Sequence, residues 1–179
     1  WSPGSPWVCS CAGEEKSSFK LKLSDVPDSS VTVKPWAELT TAELYSFLKL
    51  RTDVFLVEQK VDEEELDNRD LEPTTVHYFI TDDAGAAAYL RTLHDDPPQY
   101  RDARRAIGRV VVRSDRRGEG LAQQLMTMAL ADLAGEAVVL HAQQYIAPLY
   151  ESHGFESFGE VYIEAGIPHI SMYRPAVAA

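Results

Sequence analysis

Cysteine is almost missing from this 179-residue chain: Cys9 and Cys11 stand one residue apart near the start, and the rest has none. No partner ligands follow them at metal-site spacing, which argues against a bound metal, and the histidines His77, His94 and His153 form no metal-like spacing with acids. A body without cysteine points to a reducing compartment, so the expected location is cytoplasmic. Long apolar runs are absent too. No stretch of about 18 apolar residues occurs, so no helix is expected to span a membrane. Residues 1–30 lack a basic start followed by an apolar block, which speaks against a secretory signal. They are rich in Ser, Pro and charge, and read as a flexible arm or appended extension before a domain at 31–179. Positive charge is scarce: 17 Lys and Arg face 28 Asp and Glu, a formal net charge of −11. That balance argues against nucleic acid as a partner, because phosphate binding needs a basic footprint. It is compatible with a cationic substrate and equally with plain solubility. What is present suits one soluble domain with a full core.

"VTVKPW" (31–36) alternates and is β-branched, so it reads as a strand. Thr40 and Glu43 have capping-box spacing. Leu44, Phe47, Leu48, Arg51, Val54 and Phe55 then follow the period of an amphipathic helix. The acidic run "VDEEELDNRDLEP" (61–73) reads as a solvated helix face, with the wall of a cationic acceptor site as the alternative; Pro73 ends it. Strands are predicted at 75–82 and 85–93, joined by a turn, and a buried strand at 106–113. A helix is predicted at 118–135 with Gly135 as its terminator, then a buried strand at 137–142 and a short helix at 145–154. A final hairpin comprises 155–164 and 167–174. The strand–helix–strand portion is a crossover, so 106–113 and 137–142 should be parallel neighbours. The fold class is therefore a mixed α/β sheet, with hairpins on either side of one parallel pair and helices on both faces.

Against the acidic background, "RVVVRSDRRGEGLAQQLM" (109–126) gathers four arginines. Gly118 and Gly120 sit where a strand turns into a helix. The first turn of a helix offers free backbone N–H groups and a positive dipole end, and glycines let an anion approach closely. Arg113, Arg116 and Arg117 add local positive charge, so the segment reads as a site for a polyanion. The Walker pattern requires Gly-Lys-Ser/Thr, whereas this chain has Gly120-Leu121-Ala122. The Rossmann pattern needs a third glycine where Gln123 stands.

"RGEGLA" (117–122) resembles the R-x-x-G-x-G/A signature of the GNAT superfamily of acyl-CoA-dependent N-acetyltransferases, with Arg117, Gly120 and Ala122 in its fixed places. "VFLVEQ" near residue 55, "IGRVVV" (107–112), "HAQ" (141–143), "LYESHGF" (149–155) and "GIPHI" (166–170) together resemble the ElaA-like branch. The likeness spans about four-fifths of the chain and leaves out residues 1–30. It implies a GNAT-like, mostly antiparallel sheet in which the parallel pair splays apart.

The resemblance also implies chemistry. The coenzyme A pyrophosphate would lie on the turn Arg117, Gly118, Glu119, Gly120, Leu121 and Ala122. The pantetheine arm would pair with the backbone of Val110, Val111 and Val112, and an N–H near Val111 would face the thioester carbonyl. Tyr150 matches the tyrosine that serves many GNAT enzymes as general acid toward the leaving thiolate. Glu58, in the "VEQ" block, would hold the amine or order a water as base. Gln143 would orient groups near the thioester. His169 is a substrate contact, a proton relay or a structural histidine, and His141, in a buried strand, is read as structural. The implied reaction moves acetyl from acetyl-CoA to a primary amine, on a small molecule or a peptide. Direct attack in a ternary complex is favoured, since the body has no cysteine to carry the acyl group. The alternative is a non-catalytic acyl-CoA-binding or regulatory domain. GNAT proteins are often dimers, which extends the expectation to a homodimer.

Overall fold

Thr40 starts the first helix for a local reason. Its hydroxyl accepts the Glu43 amide at 3.2 Å and the Glu43 carboxylate accepts the Thr40 amide at 2.9 Å, a reciprocal cap that satisfies two otherwise orphaned donors. In the computed structural model, which describes residues 30–177, this helix, α1 (Thr41–Arg51), does not continue as expected to Phe55. It passes into a π-helical stretch, Thr52–Glu58. Gln59 and Val61 close that stretch by donating to the carbonyls of Val54 and Phe55. The arm assigned to residues 1–30, with both cysteines, lies outside the described residues except for Ser30.

Among the described residues, seven strands form one sheet: β1 (Thr32–Pro35), β2 (Val76–Asp82), β3 (Gly85–His94), β4 (Arg105–Val112), β5 (Val138–Gln143), β6 (Glu156–Glu164) and β7 (Ile167–Arg174), in the order β1-β2-β3-β4-β5-β7-β6. Neighbours are antiparallel except β4 and β5, which are parallel. The crossover between those two carries α2 (Leu121–Asp132), and α3 (Ala147–Glu151) follows β5. α2 is shorter than the predicted 118–135: Gly118 and Gly120 take left-handed turns before it, and its cap falls at Leu133 rather than at Gly135.

Strand alternation assigns the two faces. Tyr78, Ile80, Ala88 and Leu90 pack with Leu121, Leu125, Met126 and Ala129 of α2. Phe79, Ala86, Tyr89 and Val111 point the other way, onto Phe47, Leu50 and Val54. The expected helices on both faces are therefore present, seated on alternate residues of the same strands, with the alternation interrupted between Ala86 and Ala88, where the register against β2 shifts.

The acidic run is not a solvated helix face. It is irregular apart from a 3-10 turn at Arg69–Leu71, and several of its carboxylates turn inward. Asp70 accepts from Arg51 at 3.0 Å and from Arg91 at 2.8 Å. Glu65 meets Arg51 and Arg109, and Asp67 meets Arg91 and Arg109. Arg51 and Arg91 are almost wholly buried. A buried guanidinium needs such partners to offset its desolvation, so these acids serve as internal counter-ions. They fasten the α1–β2 connection to β3 and β4.

Candidate active site

β4 and β5 pair at Arg105–Val138 and Ala106–Val139 and then separate. The divergence coincides with an irregularity in β4: Arg109 has φ of 55°, and the register against β3 shifts between Tyr89 and Arg91. This is a bulge, one extra residue that bends its strand. A cleft of about 930 Å³ opens in the gap, lined by Val110–Val112, Arg117, Gly118, Gly120–Gln123, Gln143, Tyr150 and His169. The cleft thus brings together most of the residues singled out from the sequence, but not Glu58 or Glu119, which lie outside its lining.

Backbone alternation identifies which amides face the gap. Arg113 donates its N–H to the Ala87 carbonyl at 2.8 Å, so it points toward β3. Val112 must therefore direct its N–H and C=O to the cleft side, and Val110, two residues back, does the same. Arg117 Nε reaches the Val112 carbonyl at 3.3 Å, in keeping with that direction. The side chain of Val111 is buried against α1. The cleft-facing amides are thus those on either side of Val111, not its own.

The turn before α2 supplies a second set of free donors. No backbone N–H from Arg117 to Gln123 is bonded to a backbone carbonyl of the described residues; the first such bond runs from Gln124 to Gly120. Gly120 has φ of 79° and caps the helix without a side-chain bond. Gly118, at φ 83°, has nothing within 4 Å of where a Cβ would sit. An L-residue would be strained at either place, and the open approach suits an anion. The arginines are arranged otherwise than expected. Arg113 is bonded to Asp82 at 2.6 Å and Asp115 at 2.7 Å. Arg116 is bonded to Asp82 and to Glu119, the latter at 2.9 Å, and Arg117 holds Glu58 through two bonds of 2.8 Å. Most of their charge is answered locally, and the unpaired donors are the amides.

Tyr150 sits on α3, 5 % exposed, edge-on to Phe155, with its side chain on the cleft. Burial pushes its hydroxyl above the usual phenol range, so it stays protonated at neutral pH. Gln143 donates to Gln59 Oε1 at 3.0 Å and ties the end of β5 to the end of the π-helical stretch. His169 bonds the Ile167 carbonyl through Nδ1 at 2.8 Å and stacks on Tyr162. Glu58 is exposed beside Arg117, and the hydrogen bonds from Arg117 hold its carboxyl below the ordinary value. A carboxylate held this way is a weak proton acceptor.

Sequence reasoning missed one group. His141 is not enclosed in a buried strand: its side chain opens onto the cleft, alongside Tyr162, Gln99 and Glu164. The strand pattern "AVVLHA" is apolar around it and gave no sign of this. Its odd-numbered position was the available signal, because parity puts it on the same face as Gln143.

The chain matches the family described as acetyltransferase (GNAT) domain over residues 43–174. It is 37% identical to protein ElaA of Escherichia coli (strain K12) over 147 residues, which cover 80% of this chain and 94% of that protein. Among solved structures, an acyl-CoA N-acyltransferase from Pseudomonas aeruginosa is similar at 42% identity and a TM-score of 0.72, covering 81% of this chain and 99% of that one. The crystal structure of Escherichia coli ElaA is similar at 35% identity and a TM-score of 0.74, covering 81% and 98%.

Proposed function

Because the chain belongs to the GNAT acetyltransferase family, we propose that it transfers acetyl from acetyl-CoA to a primary amine by direct attack in a ternary complex. The observation that carries this reading is the pairing of two free-amide surfaces on one cleft: the β4 edge at Val110–Val112 and the turn at Arg117–Gln123. An extended arm with a peptide-like amide finds partners on the first, and a diphosphate finds them on the second.

The residues then divide the work. The amides of Arg117, Gly118, Glu119, Gly120, Leu121 and Ala122 hold the diphosphate at the positive end of α2. Val110 and Val112 pair with the arm, and a cleft-facing N–H among them stabilises negative charge developing on the thioester oxygen. A donor of this kind is worth about 3 kcal/mol of barrier. Val111 contributes its side chain, anchoring that edge on α1. Tyr150 gives its proton to the departing sulfur. Gln143 and His169 line the acceptor end and orient the amine. Glu58 steadies Arg117 at the mouth.

The test is thiol release from acetyl-CoA across a panel of small amines and peptides, with coenzyme A binding followed by calorimetry. Binding with amine-dependent thiol release supports transfer. Binding without release to any amine favours an acyl-CoA-binding domain, and absence of binding removes the reading.

A further inference from the structure

An alkyl ammonium must lose a proton before it can attack. With a pKa near 10.4, that costs roughly 4–5 kcal/mol at pH 7. Glu58, committed to Arg117, is poorly suited to take it. The acceptor end of the cleft holds another candidate. His141 pairs with Ser171 across β5 and β7, Gln143 pairs with His169, and His169 pairs with Tyr162 of β6. Residues directly opposite in a sheet share a face, so these side chains form one polar surface.

Hydrogen bonds along this surface fix the tautomer of His141. Gln99 donates its amide Nε2 to Asp95 at 2.7 Å, so the atom it presents to His141 Nε2, at 3.1 Å, is its carbonyl oxygen. That oxygen can only accept, so His141 carries its proton on Nε2. The lone pair is then on Nδ1, where the hydroxyls of Tyr162 and Ser171 each approach to 3.0 Å. Tyr162 also lines the cleft. Asp95 is in turn held by Arg69 at 2.7 Å, which makes the whole line from Arg69 to Tyr162 continuous.

We propose that His141 is the proton acceptor for the incoming amine, receiving the proton at Nδ1 through the Tyr162 hydroxyl. The assignment rests on the acetyl-transfer reading above. Tyr162 accepts a proton from the ammonium as it passes its own to His141, and His141 releases that proton to solvent. The free amine nitrogen bonds to the thioester carbon and the carbon–sulfur bond breaks. Tyr150 protonates the sulfur and is restored by the second proton lost from nitrogen. The balance is ammonium plus acetyl thioester giving amide, thiol and one released proton.

The charged and titratable groups facing His141 are Asp95, through Gln99, from the β3–β4 connection; Tyr162 and Glu164 from β6; and His169 from β7. Partial desolvation by the strands around it, with the neighbouring His169, lowers the imidazole pKa and outweighs the opposing pull of Glu164 and Asp95, although the ring opens onto the cleft. His141 is therefore neutral and able to accept at pH 7, and it becomes charged, losing that ability, as pH falls through its value.

The experiment compares wild type with His141→Gln and Tyr162→Phe, measuring thiol release against pH with the best amine of the panel and coenzyme A affinity by calorimetry. The expected result is unchanged coenzyme A affinity in both variants, with a drop in kcat/KM of about a hundredfold or more for His141→Gln and loss of the acidic limb of its pH profile. Tyr162→Phe leaves the imidazole in place and keeps the limb at reduced rate; it also serves as the test if His141→Gln fails to fold. A His141→Gln variant within threefold of wild type and with the same profile overturns the assignment while leaving acetyl transfer intact. So does Tyr162→Phe at wild-type rate. Wild type that binds coenzyme A but acetylates no amine overturns both.

Discussion

Replacing Tyr150 by Phe separates chemistry from packing with unusual clarity, because the side chain is held by its ring and not by its hydroxyl. The ring is buried and edge-on to Phe155, with centroids 6.2 Å apart. Burial, and no hydrogen bond, dominates what raises its pKa. Deleting the oxygen therefore leaves no partner unsatisfied among the described residues, and the expected change in unfolding free energy is below about 0.5 kcal/mol. The catalytic effect is of another size. A thiol with a pKa near 8.5 is about 1.5 units above neutral pH, so supplying its proton is worth roughly 2 kcal/mol before any positioning gain. With general acids contributing about 10²–10⁴-fold, kcat for Tyr150→Phe should fall roughly a hundredfold to a thousandfold. The assay is thiol release at saturating amine and acetyl-CoA, beside coenzyme A affinity by calorimetry and a thermal melt. Equal kcat in the two proteins would remove Tyr150 from the mechanism. A matched loss of kcat and melting temperature would show that the hydroxyl is structural, contrary to the packing described.

Three further outcomes are expected. Gly120→Val places a branched side chain at φ 79°, which costs about 1–2 kcal/mol for an L-residue, and should weaken coenzyme A binding at least tenfold by calorimetry while far-ultraviolet circular dichroism stays unchanged. Asp70→Asn leaves Arg51 and Arg91 sharing one fewer charge in the interior and should cost about 3–5 kcal/mol, read as a lowered urea midpoint; a change below 1 kcal/mol would contradict the counter-ion role. Burial would raise the Asp67 carboxyl, but hydrogen bonds and charge from Arg91 outweigh it and lower the value to about 2. Because the folded value lies below the unfolded one near 3.9, this contribution is complete above about pH 4 and fades as pH falls toward 2, so Asp67→Asn should flatten the stability profile in that window alone.

Local rules made much of the fold legible. Thr40 and Glu43 are three residues apart and cap α1 as their spacing requires. The strand–helix–strand order around Gly120 forces a parallel pair, and β4 and β5 are parallel. What stayed hidden depends on partners far along the chain. Arg117 reads as a free cation in "RRGEG", yet its carboxylate comes from 59 residues away. Arg51 falls in an apolar pattern because it is buried, and the acids that permit this lie in a run that looks solvated. The passage from α to π winding after Arg51 has no residue signature, and it precedes the tie between Gln59 and Gln143. His141 is the clearest case: a histidine among valines and leucines, whose surroundings are set by β6 and β7 rather than by its neighbours in sequence.

A sheet that stops pairing partway acquires two inner margins, and bare strand margins ordinarily invite any passing chain. Here the gap narrows like a wedge to Arg105 and Val138, while the amide cluster before α2 stands at its wide end. On the acyl-transfer reading, such a geometry works as a ruler. For the proposed thioester co-substrate, gripped at one end, the tail would need a fixed span for its reactive tip to arrive beside Tyr150, so length itself would become a criterion of selection before any side chain has read the molecule's chemistry.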